Sequence, residues 1–141
     1  MSYLLDTCVV SELVRKSPDE SLVQWVDSQN EFDLYLSVIT LGEIQKGITK
    51  LLSSKKKELL TSWLKNELEA RFAERIIPVT DEIALMWGNM LGKAEKNGQP
   101  LSVIDMLIAA TAKVYDLVVV TRNVRDMNVG GVDILNPWET A

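Results

Sequence analysis

The segment Leu117-Val118-Val119-Val120 carries no polar residue and three β-branched residues in a row. A continuous run of this kind suits a strand covered on both faces, and such strands belong to parallel sheets flanked by helices. Together with Thr121 it forms an expected strand over Leu117–Thr121, and shorter apolar runs at Tyr3–Leu5, Leu34–Ser37, Ile76–Val79 and Val132–Leu135 read as further strands. Helical spacing separates them. Leu22, Trp25 and Val26 share one face of Ser21–Ser28; Leu41, Ile44, Ile48, Leu51 and Leu52 recur along Leu41–Leu52; Leu59, Leu60, Trp63, Leu64, Leu68 and Phe72 recur along Leu59–Phe72. Ile83–Ala94 carries Ile83, Met86, Trp87, Met90 and Leu91, and Val103–Tyr115 is apolar nearly all round. Strands alternating with helices predict an α/β fold with a mainly parallel central sheet. Thr40–Phe72 holds two helical patterns with no strand between them and reads as a helical hairpin inserted in that alternation. Gly98-Gln99-Pro100 and Gly130-Gly131 mark breaks, and 141 residues without a linker or repeat suit one domain over 1–141.

The chain contains no histidine and one cysteine, Cys8. The first fact removes Ser-His-Asp and Cys-His catalysis and nearly every catalytic zinc site. The second rules out an intrachain disulfide and fits a reducing cytosol, so a cytoplasmic location is expected. Hydrolytic chemistry must then rest on carboxylates, hydroxyls, lysine or a hard metal ion. No run is long and apolar enough to predict a membrane span, and the first residues do not read as a secretory leader. A net charge of −5 gives no whole-molecule attraction for nucleic acid, so an RNA substrate would need metal ions or local basic patches.

In an open parallel sheet, ligands bind beyond the carboxyl ends of the strands. Asp6 closes the first strand, Thr121 closes the Val118–Val120 strand, and Asn123 and Asp126 follow it. Glu43 and Asp105 fall in the first turns of helices, at the same edge of such a sheet. Each acid alone has a plain structural reading. Thr40–Glu43 and Ser102–Asp105 both fit capping boxes, Asp6 fits a loop or helix cap, and Asp126 fits a solvated surface acid. As a set they are harder to explain structurally. Like charges about 4 Å apart repel by roughly 4 kcal/mol at an intermediate dielectric, whereas a helix N-terminus returns only about 0.3–1 kcal/mol. A divalent cation of the Mg²⁺ or Mn²⁺ kind resolves the conflict and could clamp a phosphodiester.

Leu4-Leu5-Asp6-Thr7, Ser37-Val38-Ile39-Thr40-Leu41-Gly42-Glu43-Ile44, Ile104-Asp105 through Ala112, and Val120-Thr121-Arg122-Asn123-Val124-Arg125-Asp126-Met127 occur in that order over nearly the whole chain. Together they resemble the successive motifs of PIN-domain proteins, above all the VapC toxins and FitB-like members, whose ending Asn136-Pro137-Trp138 also resembles. The resemblance implies a PIN fold, a Mg²⁺ or Mn²⁺ site, endoribonuclease activity on RNA, a homodimer and neutralisation by a cognate antitoxin. It implies metal-site roles for Asp6, Glu43 and Asp105, a polar role for Thr121, and Asp126 as the fourth acid with Asn123 as a neighbour. Relatives often carry Asn where this chain has Cys8, a weaker hydrogen-bonding group read here as a small apolar filler.

Arg122 and Arg125 flank the expected site and are candidate phosphate contacts, or partners for the acids. Lys55-Lys56-Lys57 reads as a solvated turn between helices, and Trp25, Trp63, Trp87 and Trp138 read as core or interface residues. The apolar residues of the hairpin point to a dimer or antitoxin interface. Three other readings fare worse. A haloacid-dehalogenase-like phosphatase needs an acid where Cys8 stands, a receiver domain needs an Asp at the end of a middle strand, and a dinucleotide module needs a Gly-x-Gly-x-x-Gly turn. The alternative kept open is a weak or inactive PIN-type domain that binds antitoxin or nucleic acid. DNA as substrate is also left open.

Overall fold

The computed structural model describes residues 1–128 and 131–139. Strand β1 (Tyr3–Leu5) leads through helix α1 (Thr7–Leu13), helix α2 (Glu20–Ser28) and a short 3₁₀ turn to β2 (Leu34–Ser37). Helix α3 (Val38–Thr49) follows directly. Next come α4 (Lys55–Ser62), a π-helical stretch at Trp63–Leu68, and α5 (Glu69–Arg71), all before β3 (Ile76–Ile77). The second half runs α6 (Asp81–Lys96), α7 (Val103–Tyr115), β4 (Val118–Val120), α8 (Val124–Asn128) and β5 (Ile134–Leu135). The five strands lie in the order β3-β2-β1-β4-β5, and every pairing is parallel.

The α/β expectation is therefore met, and the strand alternation explains the layering. Leu5 and Val120 point to one face, where they pack with Leu22 and Val26 of α2, Ile44 and Ile48 of α3, and Leu64, Leu68 and Phe72. Leu4 and Val119 point to the other, against Ile83 of α6 and Met106, Ile108, Ala109 and Ala112 of α7. Successive strand residues point to opposite faces, so a strand covered on both sides must be apolar at every position. Helix α7 is buried continuously from Met106 to Ala112, which accounts for its all-round apolar sequence. No helix among the described residues is long and apolar enough to cross a membrane.

Several boundaries differ from the sequence reading, each for a local reason. β3 stops at Ile77 instead of Val79, because Pro78 has no N–H to offer a neighbouring strand. β4 loses Leu117 and Thr121 at its ends, and β5 loses Val132 and Asp133. Helices α1 and α8 were not expected, being short and packed directly after strand ends. The Lys55–Lys57 run is the first turn of α4 and not a connecting turn; Ser54 caps it by accepting from the Lys57 N–H, and the Lys57 ammonium donates to the Leu51 carbonyl. Leu52 and Leu59, expected on a buried face, are exposed. Of the expected Gly130-Gly131 turn, Gly130 lies outside the described residues, and Gly131 takes the left-handed conformation.

Asp116 ends α7 with φ 54° and ψ 52°, the left-handed region, while the Leu117 N–H reaches back to the Ala112 carbonyl at 2.9 Å. Glycine adopts this conformation without the Cβ clash, and an acid at a helix C-terminus also opposes the dipole. Asp116→Gly should therefore stabilise the fold by about 0.5–1 kcal/mol. Thermal unfolding checks this; an unchanged or lower midpoint would contradict it.

Candidate functional site

In the strand order β3-β2-β1-β4-β5 the chain first winds outward from β1 to β3 and then returns to β4 on the other side of β1. The reversal leaves a crevice beyond the carboxyl ends of β1 and β4, where open α/β sheets bind ligands. Register fixes what stands there. Leu5 pairs with Val120, and the Asp6 N–H donates to the Val120 carbonyl at 2.9 Å, so Asp6 and Thr121 leave the sheet side by side.

Asp6 is buried and held from several directions. Its Oδ1 accepts from the Thr7 N–H at 2.8 Å, capping α1, and its Oδ2 accepts from the Thr121 hydroxyl at 2.8 Å. The same Thr121 oxygen accepts from the Asn123 N–H at 3.0 Å, which fixes the turn after β4. Asp6 is thus a cap and also a site residue, because the carboxylate offers one oxygen to each task.

Glu43 is not a cap. Helix α3 begins at Val38, not near Leu41, because Ser37 at the end of β2 accepts from the Ile39 N–H and starts the helix at once. Thr40 is then inside the helix and buried. The Thr7 hydroxyl donates to Glu43 Oε1 at 2.6 Å and lies 3.1 Å from the Thr40 hydroxyl. Thr7 is the site residue that individual motif reading undervalues. Its only signal is its place directly after Asp6, where a helical first turn aims its hydroxyl at α3.

Asp105 stands in the first turn of α7, whose cap is Ser102; the Ser102 hydroxyl accepts from the Asp105 N–H at 3.3 Å. The Asp105 carboxyl is pushed above the usual carboxylate range. Desolvation is the largest cause, followed by the charge of Asp6; Asp126 and Glu43 add to it, while the Ser102 hydroxyl pulls the other way. Asp6, Glu43, Asp105 and Asp126, from β1, α3, α7 and α8, therefore share one electrostatic neighbourhood. Asp126 lies on exposed α8, and Asn123 contributes its backbone to the turn. Among the described residues no group of three or more acidic or cysteine side chains is gathered closely enough to hold a metal ion as it stands.

Cys8 is half-buried and takes part in more than packing. Its Sγ lies 3.7 Å from Asp6 Oδ2 and 3.6 Å from Thr121 Oγ1, and it accepts from the Arg122 N–H at 3.5 Å. Burial raises its pKa and the Asp6 charge raises it further, so it stays a neutral thiol. Arg122 and Arg125 are exposed, and neither forms an ion pair among the described residues, so the expected pairing with acids is not what occupies them. The tryptophans do pack as expected; Trp25 meets Tyr3 edge to face, and Trp87 donates to the Val103 carbonyl. A cleft of about 470 Å³, lined among others by Ser54, Lys57, Glu58 and Lys65 from α4 and the π-helical stretch, includes none of these acids. A polymer cut at an open edge needs no such cavity.

The raised Asp105 pKa has a consequence for stability. A carboxyl that ionises at higher pH folded than unfolded binds more protons in the native state, so stability falls as pH rises through that interval. Above it the full penalty remains. In EDTA at neutral pH, Asp105→Asn should therefore melt above wild type, and the gap should close as pH falls through the carboxylate range. A variant that melts lower at neutral pH would contradict the repulsion.

The family model for the PIN domain matches residues 3–129. Toxin FitB of Neisseria gonorrhoeae is 38% identical over 135 residues, covering 96% of this chain and 97% of that protein. VapC ribonuclease Y4jK of Sinorhizobium fredii is 33% identical over 138 residues, covering 98% and 99%. Among solved structures, FitAcB from Neisseria gonorrhoeae superposes with a TM-score of 0.90 at 38% identity, covering 98% of this chain and 99% of that one. The chain belongs to the PIN domain family, with its relatives among the FitB and VapC toxins.

Proposed function

We propose that the protein is a metal-dependent endoribonuclease and the toxin of a type II toxin–antitoxin pair, acting in the cytosol as one domain. The observation that carries this is the placement of Asp6 and Thr121 side by side at the sheet's switch point, with Thr7 joining Asp6 to Glu43 and the charges of Asp6, Asp126 and Glu43 bearing on Asp105. A relative named a VapC ribonuclease and one named a toxin support the activity and the role.

The donor set fits Mg²⁺ or Mn²⁺. It is all oxygen, histidine is absent, and the nearby sulfur is a neutral thiol that a hard ion does not favour. An ion that keeps much of its water needs only one or two direct carboxylates, which an open arrangement allows. Asp6, Glu43 and Asp105 would hold it, with Asp126 as the fourth acid. Bound there, the ion supplies charge neutralisation at the phosphodiester and a more acidic water.

The chain's own residues do the positioning. Thr121 fixes the Asp6 carboxylate and Thr7 fixes that of Glu43, so neither need reorient when charge develops. Arg122, Asn123 and Arg125 line the turn where RNA phosphates would lie.

Partners follow from the surface. Leu52 and Leu59 are exposed apolar residues on an otherwise polar α3–α4 surface. A cleft of about 190 Å³ between α1 and the π-helical stretch is lined by Val10, Leu13, Trp63, Leu68 and Phe72, with Glu67 and Arg71 also at its walls. These suit an amphipathic segment of a cognate antitoxin or a second copy of the chain in a homodimer. An antitoxin arginine could then pair with the site carboxylates. The second reading, a weak or inactive domain that only binds antitoxin or nucleic acid, draws on Cys8, whose thiol is a poorer hydrogen-bonding partner than an amide.

Purified protein should cleave RNA in Mg²⁺ or Mn²⁺ and stop in EDTA. Asp6→Asn and Asp105→Asn should each lower kcat by about 100-fold or more, the scale for losing a preorganised electrostatic group. Equal cleavage by all three proteins would refute the carboxylate mechanism, and no cleavage of varied RNAs would favour the binding-only reading. Induced expression should arrest growth for wild type and spare cells carrying Asp6→Asn.

A further inference from the structure

Arg122 is the first residue beyond Thr121 and is fixed at both of its ends. Its backbone N–H is bound by Cys8 Sγ, and its guanidinium lies over the Trp138 ring, 5.4 Å from the centroid. Trp138 is itself anchored. It packs against the core that contains Leu5 and Val120, and its N–H donates to Asn136 Oδ1 at 3.0 Å. The C-terminal segment reaches this place because the Thr121 N–H pairs with the Leu135 carbonyl at 3.0 Å, carrying the chain past the end of β4. Among the described residues Arg122 has no carboxylate partner, although Asp6 is hydrogen-bonded to Thr121 next to it.

From this we infer that Trp138 is a positioning residue that holds Arg122 as the substrate-phosphate contact. The inference rests on the RNA reading above and adds the C-terminal segment to the site. An arginine beside an acid cluster would otherwise turn toward the carboxylates and be neutralised. Stacking on an aromatic face satisfies the flat guanidinium while leaving its N–H edges free for a phosphate. In a chain of net charge −5, an arginine held this way offers RNA an accessible cation next to the expected cleavage position. Cys8 contributes from the other side by fixing the Arg122 backbone, a role that a simple apolar filler would not have.

The test measures the Kd of a fluorescein-labelled, mixed-sequence single-stranded RNA by anisotropy across a salt series. It is run in EDTA, so that nothing is cut, for wild type, Arg122→Gln, Trp138→Leu, Trp138→Phe and the Arg122→Gln/Trp138→Leu double variant. Arg122→Gln should weaken binding and make the salt slope shallower by about one phosphate contact. Trp138→Leu should weaken it about two- to fivefold, the scale of an exposed cation–π contact, and Trp138→Phe should recover most of that. The double variant should bind no worse than Arg122→Gln alone, because Trp138 acts through Arg122. Additive losses, or an unchanged salt slope in Arg122→Gln, would overturn the inference while leaving the nuclease reading in place. Trp138→Phe, which keeps an aromatic packing group, guards against loss of folding in Trp138→Leu. Failure of wild type to bind any RNA here would overturn the inference, whereas the nuclease reading stands or falls on cleavage in Mg²⁺ or Mn²⁺.

Discussion

The parallel pairing of β1 with β4 brings two distant parts of the chain to one point, and the site is built outward from it. Leu5 opposite Val120 sets Asp6 beside Thr121. Asp6 caps α1, which turns Thr7 toward α3 and so locates Glu43. Ser37 and Ser102 start their helices at the same edge, which brings up Glu43 and Asp105. A slip of one residue between β1 and β4 would exchange the faces of every side chain on the strand and scatter this arrangement.

Gathering acids in this way opposes stability. Around Glu31, by contrast, the charges are matched. Glu31 accepts from Arg71 and Arg75, and its carboxyl is held below the usual range, chiefly by the Arg71 hydrogen bonds. Buried Arg75 also donates to the Glu31 and Leu34 carbonyls, so its desolvation is offset by several acceptors. Among the described residues no cation pairs with the acids at the switch point, and hydroxyls from Thr7 and Thr121 hold the carboxylates instead. Hydroxyls orient a carboxylate without neutralising it, which leaves the charge available to a hard ion and its phosphate ligand.

Much of this was legible in residue order. β1 and β2 fall where their apolar runs end, and Val103–Tyr115 was recognisable because a helix buried all round has an unmistakable composition. The four acids were grouped because strand ends and helix starts share one edge, and in the structure the charges of Asp6, Asp126 and Glu43 bear on Asp105. What escaped notice depended on local competition. Val38-Ile39-Thr40 is β-branched and falls between the expected strand and helix, yet the Ser37 cap makes it helix and takes Glu43 away from capping. Three lysines are poorly suited to a helix N-terminus, yet Ser54 and the Leu51 carbonyl hold them there. The roles of Thr7, Cys8 and Trp138 require knowing which atoms meet, and spacing alone does not carry that information.

The central claim is that Asp6, Glu43 and Asp105 share one divalent ion or an adjacent pair. Calorimetric titration of Mn²⁺ into the metal-free protein tests it most directly, without RNA or turnover. Saturable binding by wild type, weakened at least about tenfold in Asp6→Asn and again in Asp105→Asn, is the predicted result; about 1.4 kcal/mol separates those affinities. Wild-type and variant proteins that bind Mn²⁺ equally, or a wild type that does not bind it, would contradict the account.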